Sequence, residues 1–506
     1  MEGFFSNLML GFNTAVTPQN LVFCFIGVFA GTLVGVLPGI GPVAAIAMLL
    51  PTTFHLPTVS ALIMLAGLYY GAQYGGSTTS ILVNLPGESS SVVTCLDGYQ
   101  MARKGRAGPA LAIAAIGSFI AGTFSTMLIS FAGPALAKIT LEFNAPEYFS
   151  LMTMGLMGSA VLAQGSILKA IAMIFTGLIF GMVGTDVNTG VPRFTFGAPG
   201  LADGLSIVVL AMGIFGFSEI LGNLEKGYDA AGRDLLTQKI EHLYPSLQDM
   251  KKSVGPILRG TIIGSFLGLL PGVGPVLSSF ASYAVEKKMA KHPEEFGKGA
   301  IQGVAGPESA NNGAAQSTFI PMLTLGIPST GAMALMLGAL RIHDIPPGPE
   351  VIRRHPDLFW GLVVSMWVGN GMLLLLNLPL IGLWVKLLQV PYRYLFPTIL
   401  AMMAIGVYSV NNQGQDIYLV VLFGLLGYVF KKLKCEPAPL ILAFVLGPMV
   451  EENLRRAMLI SSGDPMVFLT RPISAGFLVA AFLILLFMIL PAVRKRRKEA
   501  LPEEES

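Results

Sequence analysis

The sequence predicts an all-α polytopic membrane protein, and two observations support that fold class. Of the 506 residues, 53% are hydrophobic and only 12% are charged, with a mean hydropathy of +0.68, whereas a soluble domain is about 25% charged. Uncharged runs also recur along the chain, and each can hold a membrane span of roughly 20 residues. These runs cover residues 3–87, 107–137, 148–168, 261–285, 309–340, 358–385, 394–415 and 472–493.

The expected helices follow these runs in order. We expect about eleven to thirteen true crossings, with the shorter apolar segments forming half-helices or re-entrant pieces. The predicted segments lie near residues 20–37, 41–53, 57–70, 109–134, 148–165, 170–185, 204–222, 255–270, 273–285, 358–378, 380–390, 394–410, 417–430, 437–450 and 472–491.

A Leu-Pro-Gly-x-Gly-Pro motif occurs twice, at residues 37–42 and 270–275, with its first prolines 233 residues apart (271 − 38). A Pro-Gly break inside an apolar helix frees backbone carbonyls, which suit Na⁺, and amides, which suit carboxylates. A tight turn between two spans is the structural alternative. The predicted Na⁺-binding residues are Pro38, Gly39, Gly41, Pro271, Gly272 and Gly274, together with Asn311 and Asn312.

A neutral polar stretch follows each motif, at residues 70–91 and 311–330, and we expect each stretch to form a hairpin. The prolines that close the two stretches are 242 residues apart (328 − 86). Neutral hydroxyl and amide groups can hold an anion weakly enough to release it, although small polar residues also serve helix packing. The predicted substrate-binding residues are Gln73, Ser77, Thr78, Thr79, Asn84, Gln316, Ser317, Thr318, Ser329 and Thr330.

Three acidic residues are candidate coupling carboxylates. Glu88 ends the uncharged N-terminal run, Glu308 precedes the second polar stretch, and Asp186 ends a predicted span. Ionisable residues at membrane depth are costly and are often functional. The alternative is that all three lie at the membrane interface and cap helices.

The duplicated motifs divide the chain into two related halves, 1–222 and 254–492, joined by a polar amphipathic connector at 223–253 and followed by a charged tail at 493–506. We favour inverted repeats, as is common in transporters, although the distribution of Lys and Arg leaves parallel repeats open. The basic run 494–498 directly follows the last apolar segment, so we expect a cytoplasmic C-terminus.

Enzyme motifs are absent from the sequence. It contains no HExxH, no GxSxG elbow and no phosphate-binding loop. We therefore predict no catalytic residues, no cofactor apart from a coupling ion, and no nucleic-acid partner. Two alternatives stay open: an intramembrane hydrolase that uses Asp186 or one of Ser89–Ser91, and a passive channel.

Several stretches together resemble the large membrane subunit of the tripartite tricarboxylate transporters, the TctA family. They read GVLPGIGPV (35–43), YGGSTTSILVNLPGE (74–88), ARKGRAGPALAIAAIGSFIAG (102–122), FGMVGTDVNTGVPRFTFG (180–197), GLLPGVGPV (268–276), FGKGAIQGVAGPESANN (296–312) and IPMLTLGIPST (320–330).

The resemblance implies a secondary transporter of the bacterial inner membrane that imports citrate-like di- or tricarboxylates. It implies three partners: a TctC-like periplasmic binding protein, a small four-helix TctB-like subunit, and Na⁺ as the symported ion. An elevator-type movement would give alternating access. The family pattern often has Gly where this chain has Ser329, a departure that leaves the choice of carboxylate open.

Overall fold

A computed structural model describes residues 2–37, 41–84, 86–140, 142–162, 166–186, 189–225, 243–270, 274–387, 392–411 and 413–489. Helices dominate these residues, which confirms the predicted all-α fold. Pro38, Gly39, Pro271 and Gly272, the middle of the connector and the basic tail lie outside the described residues.

The first part of the chain contains eleven of the α-helices in the described residues. They are α1 (Glu2–Ala15), α2 (Pro18–Val36), α3 (Pro42–Thr53), α4 (Thr58–Val83), α5 (Val92–Thr94), α6 (Gln100–Arg103), α7 (Ala107–Thr140), α8 (Ala145–Leu162), α9 (Ile167–Gly181), α10 (Ile207–Ala211) and α11 (Ser218–Glu225). Short 3₁₀ turns (Ser89–Ser91, Pro199–Leu201), π-helical segments (Cys95–Tyr99, Met212–Phe217) and one antiparallel hairpin of β1 (Gly184–Thr185) with β2 (Pro192–Arg193) lie between them.

The helices continue from residue 247 onward, with one 3₁₀ turn at Pro293–Glu295. They are α12 (Leu247–Leu267), α13 (Gly274–Met289), α14 (Gln302–Ser317), α15 (Phe319–Leu325), α16 (Gly331–Ile342), α17 (Pro349–Arg354), α18 (Pro356–Asn377), α19 (Ile381–Leu387), α20 (Tyr392–Asn411), α21 (Gln415–Lys432), α22 (Ala438–Ile460), α23 (Val467–Thr470) and α24 (Pro472–Ile489).

Membrane-spanning character is clearest in α2, α7 and α18, which are long and apolar enough to cross a bilayer. Shorter apolar helices include α3, α9, α16 and α24. The expected number of crossings stays a prediction.

Helices α2 and α4 pack with their backbones in close contact. Gly27, Gly31 and Gly35 are spaced four residues apart on one face of α2, and a Cβ on any of them would lie 2.2–2.3 Å from a carbonyl oxygen of α4. Only glycine permits this approach. The three facing carbonyls belong to Met64, Leu68 and Ala72.

Helices α12 and α14 repeat this packing. Gly260, Gly264 and Gly268 on α12 would each place a Cβ 2.2–2.6 Å from a carbonyl oxygen of α14. The facing carbonyls belong to Gly306, Ala310 and Ala314. Each glycine follows its α2 counterpart by 233 residues (260 − 27), and each carbonyl follows its α4 counterpart by 242 (306 − 64). The offsets between the sequence motifs therefore also relate the two helix pairs.

The related helices α4 and α14 cross in opposite directions. Ser77 contacts Glu308 of α14, while Tyr69, two turns earlier on α4, has its ring 6.1 Å from that of Phe319, which begins α15 just after the end of α14. Inverted repeats require a crossing of this kind. The orientation of the two halves in the bilayer stays a prediction.

Each half contributes a long helix that packs on the helix pair of the other half. Helix α7 packs on α12 and α14, where the Ser125 hydroxyl lies 2.6 Å from that of Ser265 and donates to the carbonyl of Gly313 at 2.9 Å. Helix α18 packs on α2 and α4, where Tyr74 donates to Asn370 at 3.5 Å. The halves are thus interlocked and do not form separate domains.

The first polar stretch folds back on itself, because the chain turns at Asn84 after helix α4 and Glu88 then lies against Gly76. Helix α4 continues through Val83 and includes Gln73 to Thr79. Its hydroxyls find acceptors without breaking the helix: Ser77 donates to Glu308 of α14 at 2.5 Å, and Thr79 donates to the Val36 carbonyl of α2 at 2.8 Å. Polar side chains that are satisfied in this way are compatible with a buried helix.

Candidate functional site

Helix α4 ends at Asn84, whose left-handed conformation (φ 58°) turns the chain back toward the helix. The following Gly87 packs directly on α2 and α4, since a Cβ there would lie 2.1 Å from the Gly35 carbonyl oxygen and 2.6 Å from the Gly76 Cα. This contact holds the next residue, Glu88, against the buried part of α4. Asn84 itself is exposed, so it shapes the turn and lies outside the polar interior.

Glu308 lies on α14 and is fully buried. Its Oε2 accepts a hydrogen bond from the Ser77 hydroxyl of α4 at 2.5 Å, and its Oε1 accepts one from the Thr94 hydroxyl of α5. A carboxylate of the second half is therefore held by two neutral hydroxyls of the first half.

Glu88 belongs to the same network. The Ser90 hydroxyl contacts both the Glu88 carboxylate and, at 3.0 Å, Oε1 of Gln73, while Nδ2 of Asn311 donates to Glu88 Oε1 at 3.5 Å. We call this network the carboxylate cluster. It comprises Gln73, Ser77, Glu88, Ser90, Thr94, Glu308 and Asn311.

Two features of the carboxylate cluster are unusual for a buried site. Among the described residues, neither Glu88 nor Glu308 has a Lys, Arg or His partner. The Oδ1 atom of Asn311 is also buried, and it has no hydrogen-bond partner among the described residues. Buried polar atoms are normally paired, so both features suit a positively charged or hydrogen-bond-donating ligand.

A second polar region lies at the start of α16. Gly326, in a left-handed conformation (φ 71°), turns the chain after α15, and Thr330 caps α16 by accepting from the Met333 amide at 3.2 Å. The Ser329 hydroxyl is buried without a partner among the described residues. Thr330 also lies against Gly274, which begins α13 at φ 55°. We call this region the α16 N-terminus.

The remaining predicted polar residues are mostly satisfied internally. Ser317 and Thr318 donate to carbonyls one turn earlier on α14, at 3.2 and 2.7 Å, and Asn312 donates to Ser118 at 2.6 Å. Thr78 is buried, and Gln316 is buried with its Oε1 atom unpaired. For Ser317, Thr318 and Asn312 the structure therefore provides packing partners. Gly41 only precedes α3 as its N-cap.

Asp186 is held in a separate ion-pair cluster. It pairs with Arg455 at 3.2 Å and with Arg193 at 3.8 Å, and Glu451 pairs with the same two arginines at 2.6 and 2.8 Å. These charges balance and fasten the β1–β2 hairpin to α22. The structure thus brings Glu88 and Glu308 together and places Asp186 among different partners.

Sequence reasoning missed two residues that shape this region. Thr94 lies in an apolar stretch, and nothing local marks it as a partner of Glu308. Asp97 is fully buried, and its Oδ1 accepts from the backbone amides of residues 297, 299 and 300 at 2.7–2.9 Å. Tyr283 donates to its other oxygen at 2.9 Å. Two sequence signals could have indicated the role of Asp97: it is an acid in an apolar segment, and a glycine-rich loop follows α13.

Fold and site together define a helical, multi-pass membrane protein with a buried polar site where two duplicated helix pairs meet. The chain belongs to the tripartite tricarboxylate transporter TctA family, whose family model matches residues 21–442. This is a family of transporters and not a family of enzymes.

Two relatives from Agrobacterium vitis carry the comparison further. An uncharacterized 52.8 kDa protein in the TAR-I ttuC′ 3′ region is 57% identical over 505 residues, covering 100% of both chains. An uncharacterized protein in the TAR-II ttuC′ 3′ region is 57% identical over 242 residues, which is 48% of this chain and 100% of that protein. No solved structure matches the chain.

Proposed function

We propose that this chain is the large membrane subunit of a binding-protein-dependent secondary transporter that imports a di- or tricarboxylate by Na⁺ symport. The observation that carries the proposal is the α16 N-terminus, where an unpaired buried hydroxyl precedes a helix start inside a member of a transporter family. A helix N-terminus favours negative charge and offers free amide donors.

The substrate carboxylate would be held by three donors. Thr330 caps the Met333 amide, which leaves the amides of Gly331 and Ala332 without a protein acceptor in the described part of the chain. The Ser329 hydroxyl lies directly before them. An unpaired buried hydroxyl costs about 1–3 kcal/mol, which a carboxylate oxygen would recover. Because no Lys or Arg is needed, the anion can also be released.

Transport would require the site to open alternately to the two sides of the membrane. We propose that the helix pairs α2–α4 and α12–α14 move together against the remaining helices, as in an elevator. A periplasmic TctC-like protein would deliver the carboxylate, and a small four-helix TctB-like subunit would accompany the chain. The subunit would lie in the bacterial inner membrane with its C-terminus in the cytoplasm.

The test is uptake of a panel of labelled di- and tricarboxylates, citrate included, by vesicles that contain this chain, the small subunit and the binding protein. We expect accumulation that depends on an inward Na⁺ gradient and on the binding protein. Uptake that persists after the Na⁺ and proton gradients are collapsed, or that ignores the binding protein, would contradict the proposal and favour a passive channel.

Two separate serine substitutions make this test more specific. Ser329→Ala removes a donor to a charged group and should weaken apparent substrate affinity about tenfold, since such bonds are worth ~1.5–3 kcal/mol. Ser365→Ala is the matched control, because Ser365 is also buried but donates to the Leu362 carbonyl within α18. Equal effects of the two substitutions would show that Ser329 has only a packing role.

A further inference from the structure

The charges of the carboxylate cluster are not balanced by the protein. Glu88 comes from the first half and Glu308 from the second, and both meet only neutral groups among the described residues. A buried carboxylate without a positive partner is strongly unfavourable. By comparison, the buried carboxylates Glu147 and Glu286 each pair with an arginine, and the buried Asp97 accepts from three backbone amides.

The cluster also presents acceptor oxygens that nothing in the described chain uses. The Asn311 amide contacts Glu88 through Nδ2, and the Oδ1 atom of the same amide is buried and unpaired among the described residues. The hydroxyls of Ser77 and Thr94 donate to Glu308 and keep lone pairs free to accept. Carboxylate, amide carbonyl and hydroxyl oxygens are the ligands of hard cations.

We propose that Glu88, Glu308 and Asn311 form a Na⁺ site between the two halves, with Ser77 and Thr94 as neighbouring oxygen ligands. This inference rests on the proposed function in that Na⁺ is the coupled ion. In this proposal the Na⁺ ligands are side-chain oxygens and not the backbone carbonyls of the Pro-Gly breaks. Ser77, which the sequence predicted to bind the substrate, contacts the cation instead. The two carboxylates can neutralise up to two monovalent cations.

The position of this site gives it a role in coupling. Without Na⁺, two carboxylates close to the α16 N-terminus repel an anionic substrate, and in a low-dielectric interior the repulsion is strong. Tyr69 of α4 lies close to Thr318 and Thr330, and the same helix carries Gln73 and Ser77 of the carboxylate cluster, so α4 borders both regions. Na⁺ binding should therefore precede carboxylate binding and raise its affinity, and by linkage the substrate should raise Na⁺ affinity equally.

The experiment is direct ²²Na⁺ binding to the purified full-length chain in detergent, with choline as the replacing ion, together with the Na⁺-dependent shift of the thermal unfolding midpoint. Na⁺ at 100 times its Kd should raise the ratio of folded to unfolded protein about 100-fold. Glu308→Gln and Glu88→Gln should each weaken Na⁺ binding by about 100-fold or more, since each removes one partner of a buried charge pair.

Glu452→Gln is the matched control, because Glu452 lies in an exposed i,i+4 pair with Arg456 and such pairs contribute little. It should bind Na⁺ like the wild type. The Gln variants should retain the wild-type unfolding midpoint in choline or exceed it, because repulsion between the two carboxylates is removed. Wild-type Na⁺ binding in both Gln variants, or no saturable Na⁺ binding by the wild type, would overturn the inference.

These outcomes separate the inference from the proposed function. If the wild type binds Na⁺ through Glu88 and Glu308 but the vesicles accumulate no carboxylate, the cation site stands and the transport proposal fails. If Na⁺-driven uptake is observed and the Gln variants still bind Na⁺ like the wild type, transport stands and the location of the cation site is wrong.

Discussion

The segments after Pro86 and after Pro328 are related in position and different in chemistry. Asn84 and Gly326, 242 residues apart (326 − 84), both turn the chain in the left-handed conformation. Four residues after each turn, Glu88 caps a three-residue 3₁₀ turn and Thr330 caps the twelve-residue helix α16. One segment thus presents a carboxylate where the other presents a neutral hydroxyl and a helix N-terminus.

A duplicated scaffold can therefore bind two opposite charges. The backbone device is shared, and the residue at the cap position sets the sign of the charge that is favoured. We propose that the Glu88 segment serves the cation and the Ser329–Thr330 segment the carboxylate. The contacts are reciprocal as well: Ser279 of α13 donates to the Ser90 carbonyl at 2.9 Å, and Val43 of α3 lies against Gly331.

The largest expected effect concerns the scaffold that the two segments share. Gly31→Ala and Gly264→Ala each place a Cβ 2.2–2.3 Å from a carbonyl oxygen of the partner helix, so each should destabilise the fold by about 3 kcal/mol or more. The check is the thermal unfolding midpoint of the purified variants. Gly371→Ala on α18 is the control, because its Cβ would meet no atom within 4 Å. A large effect at only one of the two glycines would show that the α2–α4 and α12–α14 pairs are not equivalent.

The next largest effect comes from exchanging the cap residues. Thr330→Glu adds a carboxylate to the segment assigned to the substrate and should lower carboxylate uptake about 100-fold while Na⁺ binding persists, because like charges repel strongly in a low-dielectric site. Glu88→Thr should lower Na⁺ binding instead. Uptake and ²²Na⁺ binding measured on both variants test this. Because Glu88→Thr should also lose the uptake that Na⁺ drives, ²²Na⁺ binding is the deciding measurement, and its loss in both variants would show that the two segments are not specialised.

An intermediate effect is expected at Asp97, which joins the first half to the loop before α14. Asp97→Asn replaces a carboxylate that accepts three backbone amides and a Tyr283 hydroxyl, so it should destabilise the chain by about 1–3 kcal/mol. Urea or thermal unfolding in detergent measures the change. Because Asp97 contacts neither Glu88 nor Glu308 by a hydrogen bond, Na⁺ affinity of the folded variant should be unchanged.

The smallest effect is expected at the two left-handed turns. Asn84→Ala and Gly326→Ala each put alanine at a positive φ, which costs roughly 1 kcal/mol relative to Gly and somewhat less relative to Asn. The unfolding midpoints of the two variants should fall by small and similar amounts. A substantial fall for Gly326→Ala alone would indicate that its contact with Pro347 matters more than its backbone conformation.

The sequence predicted the fold class correctly, and it singled out Glu88 and Glu308 as candidate residues, for physical reasons. Pro-Gly motifs and isolated acids are visible in an apolar chain, so the duplication and the importance of Glu88 and Glu308 could be inferred. The hydrogen-bond partners of Glu308 could not be inferred, since Ser77 lies 231 residues and Thr94 214 residues from it in the sequence. The pairing of Asp186 with Arg455 could not be inferred either, since the two residues lie 269 positions apart in the sequence. The position of the turn in the hairpin expected at 70–91 could not be predicted, since hydroxyls that bond to carbonyls do not interrupt helix α4 before Asn84.

The central claim is that Na⁺ at the carboxylate cluster enables carboxylate binding at the α16 N-terminus. Its most direct test is the affinity of the reconstituted transporter for the first carboxylate of the panel that is taken up, measured in Na⁺ and in choline for the wild type and Glu308→Gln. We expect Na⁺ to raise the affinity of the wild type at least about tenfold, a typical coupling energy, and to leave Glu308→Gln unchanged. Equal affinities in Na⁺ and choline for the wild type would contradict the claim.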